Sequence, residues 1–193
     1  MNTKNMRCMT NSDVIELLKR DFPDKEVIIN KIINGISKTE QIRLADNEGV
    51  SSPQLSGDID IAVRSFIIMN EIRYCYKNRL SIAQISDVIS AEEYGLEAMQ
   101  QVRWAYQNGL NKSQVADVIS VAEYGWTAMR EVSLAYLEGL KDAQVTDVIS
   151  LAEKGADVMK EVLSAYVKIN SLLNTLRDDG GKAQTLLPKK LGN

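Results

Sequence analysis

Apolar residues return along this chain at two rhythms. At short range they fall three and four positions apart, the spacing of one helix face. At long range the pattern returns every 30 residues: Asp-Val-Ile-Ser stands at Asp87–Ser90, Asp117–Ser120 and Asp147–Ser150. A fixed period of this size marks stacked supersecondary units. In register, Met69, Met99, Met129 and Met159 share a column. So do Ile72, Val102, Val132 and Val162, and so do Tyr76, Tyr106, Tyr136 and Tyr166. Met, Val and Tyr then lie on one face of a long amphipathic helix that opens each unit.

Gly109-Leu110 and Gly139-Leu140 read as the end of that helix, a left-handed glycine with an apolar residue folding back. A short helix follows, with Ile85, Val88 and Ile89 as its apolar set, repeated at 115–119 and 145–149. Ser81 with Gln84 and Asn111 with Gln114 have the spacing of helix caps, and Lys141-Asp142 is a weaker version. Ser90, Ser120 and Ser150, each three before a Glu, are expected to cap what comes next, and Asp87, Asp117 and Asp147 to accept N–H groups of the following first turn. The alternative for the three acids is a ladder for a cation or a basic partner. Gly95, Gly125 and Gly155 argue for a loop before the next long helix, which then starts near Trp126 in the third unit.

The fourth unit lacks the Gly-Leu stop. Ile169, Leu172, Leu173 and Leu176 continue its stripe, so its helix should run to about Arg177 and cap the stack, with Asp178-Asp179-Gly180-Gly181 ending it. At the other end, a helix is expected from Asp13 to about Asp21, capped by Asn11 or Ser12 and stopped at Phe22-Pro23. A second should run from Lys25 to Asn34 and stop at Gly35, and a third should start after Ser37 and end near Asn47. Asn34-Gly35-Ile36-Ser37 resembles Asn108-Gly109-Leu110-Asn111, which makes residues 24–57 a candidate degenerate repeat. The expected fold is all-α: a right-handed, α-solenoid-like stack of helix-turn-helix repeats with an N-terminal helical segment and a long C-terminal capping helix. Its domains would be 1–57, the repeats at 58–177 and a flexible tail at 178–193.

Composition narrows the chemistry. The 193 residues carry a formal charge of −3, so no broad basic field is available to grip nucleic acid. There is no His, which removes the commonest general base and metal ligand, and two cysteines do not make a disulfide framework. No cofactor is expected. No apolar run is long enough to cross a membrane, and the opening MNTKNMRCMTNS has no apolar core of a leader, so a cytoplasmic protein is expected.

Two stretches suggest chemistry of their own. Asp58 and Asp60 have the spacing of the metal-holding carboxylates of nucleotidyltransferases, but Asp60 also falls in the repeat column of Ser90 and Ser120, where a helix cap is expected. Gln41–Ile61 threads as a helix-turn-helix in which Ser52 and Gln54 would meet DNA, with the acids nearby opposing phosphate. The columns that vary between units point elsewhere. Tyr74, Trp104 and Leu134 share one, Phe66, Leu96 and Trp126 another, Lys77, Gln107 and Leu137 a third. Repeat arrays bind through such faces, and aromatic residues and Arg dominate binding energy. The candidate partner-binding set is therefore Arg73, Tyr74, Arg103, Trp104, Gln107, Trp126 and Arg130. Trp104 and Trp126 read equally well as filling between units.

Tyr124-Gly125-Trp126-Thr127-Ala128-Met129-Arg130-Glu131-Val132, then Tyr136, Gly139-Leu140 and Gln144-Val145, resembles a short helical repeat of Firmicutes phage and mobile-element proteins. The resemblance spans about residues 66–166. Ala98 and Ala128 stand where that repeat has Gln before Met, and the Asp-Val-Ile-Ser insert is extra. It implies helical repeats and an accessory protein that binds host defence or regulatory machinery. The functional expectation is a non-enzymatic protein-binding module, an anti-CRISPR-like inhibitor of a host nuclease acting by occlusion. The alternatives are a DNA-binding regulator and a nucleotidyltransferase-like enzyme.

Overall fold

Thr10 starts the first helix. Its hydroxyl accepts the Asp13 N–H at 3.2 Å while the Asp13 carboxylate accepts the Thr10 N–H at 2.7 Å. This reciprocal pair fixes α1 (Asn11–Asp21), so the cap lies just before the expected Asn11 or Ser12. Phe22-Pro23 ends α1 as expected, through a 3-10 turn at Pro23–Lys25. The computed structural model describes residues 9–47 and 55–185, with side chains for 9–38 and 61–177. Every regular element among the described residues is a helix.

The second helix departs from expectation. α2 (Glu26–Asn47) passes through Gly35 without a break, where the sequence suggested a stop and a second start. The glycine serves the packing instead. α2 lies along α3 (Leu55–Lys77), and a Cβ added at Gly35 would sit 1.8 Å from Ser65 Oγ and 2.3 Å from Ser65 Cβ. Close approach of two helices therefore explains a residue that local rules read as a terminator. Residue 60 lies within α3, so the expected Asp60 cap is not at a helix start.

From α3 onward long and short helices alternate. The long helices are α3, α5 (Leu96–Gln107), α7 (Trp126–Leu137) and α9 (Ala156–Thr185). Between them come the short helices α4 (Ile82–Ser90), α6 (Lys112–Ser120) and α8 (Asp142–Ile149). α5 ends with Gly109 N–H bonded to Tyr106 O at 3.1 Å and Leu110 N–H to Ala105 O at 3.1 Å, the paired bonds of a left-handed cap. Gly109 has φ of 91°. α3 ends with the same two bonds, yet the left-handed position is Arg79, at φ 60°. Ser81 and Gln84 then cap α4 reciprocally, as their spacing predicts.

Each short helix passes into a 3-10 turn: Ala91–Tyr94, Ala122–Tyr124 or Ala152–Lys154. Gly95, Gly125 and Gly155 follow at φ 106°, 95° and 100° with ψ of 172°, 166° and 157°. That region admits essentially glycine alone, which explains the recurrence of Gly before each long helix. α9 runs through Gly180 and Gly181 to Thr185, past its expected end near Arg177; the rest of the expected tail lies outside the described residues.

The chain divides into two compact units between Lys112 and Ser113, inside the repeats. In the first, Val14 and Leu18 of α1, Ile29 and Ile32 of α2, Met69 and Ile72 of α3, Ile85 and Val88 of α4 and Met99 and Val102 of α5 form the core. In the second, Val115, Val118, Met129, Val132, Val145, Val148, Met159 and Leu163 do so. The Met column is thus interior, and so is the Val column as far as Val132, as their helical spacing requires.

Candidate functional site

The recurring Asp and Tyr meet each other. The Tyr106 hydroxyl donates to Asp87 Oδ2, Tyr136 donates to Asp117 Oδ2, and Tyr166 donates to Asp147 Oδ2 at 2.5 Å, always across 19 residues. The acids therefore accept phenols rather than the N–H groups of a following first turn. Nineteen residues before Tyr76 stands Gly57, which has no acceptor side chain. Tyr76 turns to α1 and donates to Asp21 Oδ2 at 3.0 Å. Arg20 also holds Asp21, at 2.6 Å and 3.0 Å, and that bond keeps the Asp21 carboxyl below its usual range. Burial, then the bonded carboxylate, pushes the Tyr76, Tyr106 and Tyr136 phenols well above the ordinary tyrosine range. The serines of the motif differ from expectation too. Ser120 and Ser150 donate back to the carbonyls of Asp117 and Asp147 at 2.7 Å, and Ser90 accepts from Lys25 Nζ at 2.5 Å. None of these bonds starts the next helix.

The clearest surface constellation lies on α3 and α5 in the first unit. Arg103 Nε donates to Glu71 Oε2 at 2.6 Å, and Nη1 donates to Gln107 Oε1 at 2.8 Å. Its guanidinium carbon sits 4.6 Å from the centroid of the Tyr74 ring, within cation–π range. Gln100 Nε2 donates to the other Glu71 oxygen at 3.3 Å. The Arg103 and Glu71 side chains are only 18% and 15% exposed, while Tyr74 is 45% exposed. Arg103 is thus fixed from three sides beneath an open aromatic ring. Beside it lies a shallow groove of about 450 Å³ lined by Tyr74, Asn78, Arg79, Gln84, Tyr106 and Gln107 among others. Its lining offers amide donors and acceptors around an aromatic face.

Three of the candidate residues, Tyr74, Arg103 and Gln107, therefore come together. Arg73 does not join them: Nη1 bonds Asn70 Oδ1 at 2.5 Å, Nη2 bonds Asn11 Oδ1, and Nε is buried without a partner. Trp104 is half-buried next to the cluster in sequence, with its carbonyl taken by Asn108 Nδ2 at 2.8 Å. Trp126, 42% exposed, and Arg130 stand one helical turn apart on α7, in the second unit. Ser52 and Gln54 lie outside the described residues. So do the side chains of Asp58 and Asp60, whose backbone is in α3, a helix where the nucleotidyltransferase pair would need a strand. Among the described residues no group of three His, Cys, Asp or Glu could hold a metal ion.

Glu71 is the member of this cluster that the sequence did not single out. Its column continues as Gln101 and Glu131, polar residues amid apolar ones. Gln101 Oε1 and Glu131 Oε2 are buried without partners, and burial raises the Glu131 carboxyl despite the nearby Arg130 and Lys160 charges. A polar column flanked by buried positions was the available signal. Cys75 is also buried, with its thiol pushed up to about 12 by that burial, which leaves it a small apolar filler. No helix among the described residues is long and apolar enough to cross a membrane. No protein-family model matches this chain, and neither the curated proteins nor the solved structures contain a match.

Proposed function

We propose that this chain is a non-enzymatic protein-binding module whose 30-residue units stack as an α-solenoid, and that it captures its partner through the Tyr74–Arg103–Gln107 face. The supporting observation is Arg103 held between Glu71, Gln107 and the Tyr74 ring. Arg and Tyr are the residue types that dominate binding energy, and a side chain ordered before contact loses little entropy on contact. The sequence resemblance to phage and mobile-element repeats supports the finer reading: a cytoplasmic inhibitor of a host nuclease complex that works by covering a nucleic-acid channel or docking surface.

Tyr74→Ser tests this reading without unpairing Glu71. Capture from a bacterial host lysate by the unaltered chain should recover a nucleic-acid-processing complex. Tyr74→Ser and Gln107→Ala should each recover at least about tenfold less, with unchanged helical circular dichroism. Equal recovery by the variants would refute this face as the binding surface. Loss of the fold in Tyr74→Ser would make the residue part of the scaffold.

A further inference from the structure

The long helices share one more set of columns. Ile68, Ile72 and Cys75 on α3 are 5%, 0% and 0% exposed. In register with them, Ala98, Val102 and Ala105 on α5 are 2%, 0% and 0% exposed, and Ala128, Val132 and Ala135 on α7 are all 0%. The fourth occurrence breaks the rule. Val158 and Val162 on α9 are only half-buried, and Ala165 is exposed. Where the earlier helices turn away at Arg79, Gly109 and Gly139, α9 carries Ile169 and continues. Ile169, Leu172, Leu173 and Leu176 are then 49%, 65%, 48% and 68% exposed.

The positions 158, 162, 165, 169, 172 and 176 advance by four and three alternately. That is the heptad seam of a helix meant to lie against another helix, and it is narrower than the stripe of a core-facing helix. The inner face of α9 is already in use, with Met159 and Leu163 buried in the second unit. The seam is a second face. The four large residues leave roughly 400–500 Å² of apolar surface open, at about 100 Å² for each half-exposed aliphatic side chain.

We propose that the α9 seam binds the α9 seam of a second copy of this chain. Two such stripes would together bury roughly 900 Å² from these side chains alone, and their flanks bring the total past the ~1,000 Å² that a specific interface needs. The flanks suit a like partner. Leu173 and Thr175, at the e and g positions beside the exposed residues, carry no charge, so neither selects an oppositely charged helix. In a parallel pair the heptad places Lys168 beside the partner copy's leucine at 173, and Glu161 beside its tyrosine at 166, so no like charges oppose. In that register Ile169 falls at an a position and Leu172 at d, the combination that favours two strands.

The inference does not rest on the proposed function, since the seam is in the second unit and the Tyr74 cluster in the first. Sedimentation velocity on the full chain over a hundredfold range of concentration tests it. The unaltered chain should be a dimer that dissociates on dilution. Leu172→Glu with Leu176→Glu should weaken association by about 100-fold or more and leave the helical spectrum and melting temperature of the monomer unchanged. Tyr74→Ser should dimerise like the unaltered chain. An unaltered chain that is monomeric throughout, including because a different partner takes the seam, overturns the proposal. So does a dimer that survives both glutamates.

Discussion

Ile68, Ile72 and Cys75 on α3 hold the positions that Val158, Val162 and Ala165 hold on α9, and their surroundings differ. α3 is enclosed. α2 lies along it, close enough that Gly35 admits no side chain against Ser65, and α1 lends Asp21 to the hydroxyl of Tyr76. α9 keeps the unit's own contact, Tyr166 on Asp147, and packs on α7 and α8, yet leaves its seam open. Before the first long helix the described structure has α1 and α2 in place of a long and a short helix, and these two supply its contacts on that side. The carboxylate shows this most directly, because it comes from a different element and a different spacing while serving the same phenol. The last long helix has received no such substitute.

The largest way to break this contrast is Gly35→Ala. Its Cβ would overlap Ser65, and relief requires α2 and α3 to separate. The helix-propensity gain of about 1 kcal/mol is smaller than the overpacking cost, and a net loss of about 2 kcal/mol is expected in urea denaturation. Adding Ser65→Gly should recover most of it. A neutral Gly35→Ala would mean that α2 does not cover α3 so closely.

A smaller effect separates the two tyrosines. Tyr76→Phe removes a half-buried bond to a carboxylate that Arg20 still satisfies in part, so about 1 kcal/mol is expected. Tyr166→Phe, at an exposed bond, should change the melting temperature less. Alkali sharpens the comparison. The folded-state values of Tyr76, Tyr106 and Tyr136 lie above the ordinary 10, so the unfolded chain gives up those protons first. Their stabilisation is complete below about pH 10 and is lost as pH rises through the folded values. Melting temperature should fall between pH 10 and 11.5, and Tyr76→Phe should fall less steeply over that interval than the unaltered chain. Parallel curves would remove Tyr76 from the account.

The smallest effect lies at the end of α3. Arg79 takes a left-handed backbone where the next two units have glycine. Arg79→Gly should raise stability by up to about 1 kcal/mol, while Gly109→Ala should lower it by a similar amount. A destabilising Arg79→Gly would show that the Arg79 side chain contributes more than its backbone strain removes.

What was legible in the sequence divides along the same line. The Met, Val and Tyr columns, the Gly-Leu ends and the loop before Trp126 follow from local rules repeated in register, and the structure has them. The Asp–Tyr bonds span 19 residues across a turn and match neither helical nor strand periodicity, so the acids read as caps. Gly35 carries the local signature of a terminator, and only its neighbour on α3 shows what it does. Of the candidate surface, Tyr74 and Gln107 were visible because they sit in columns that vary, and Arg103 because of its residue type. Glu71 was not, because the contact that gives it meaning crosses from one repeat to the next. Arg73 shared their residue type but is occupied by Asn70 and Asn11.

The 19-residue bond also bears on heredity. Each phenol looks back to an acid in the preceding period, so any whole number of periods can be inserted or removed in frame without stranding either group. Excision of Ala91–Ser120 would bring Tyr136 to the place of Tyr106, opposite Asp87. Unequal recombination could then lengthen or shorten the array in a single event, with the contact kept intact. The enclosed first helix and the open last one would stay where they are, as fixed ends of a segment whose copy number is free to change.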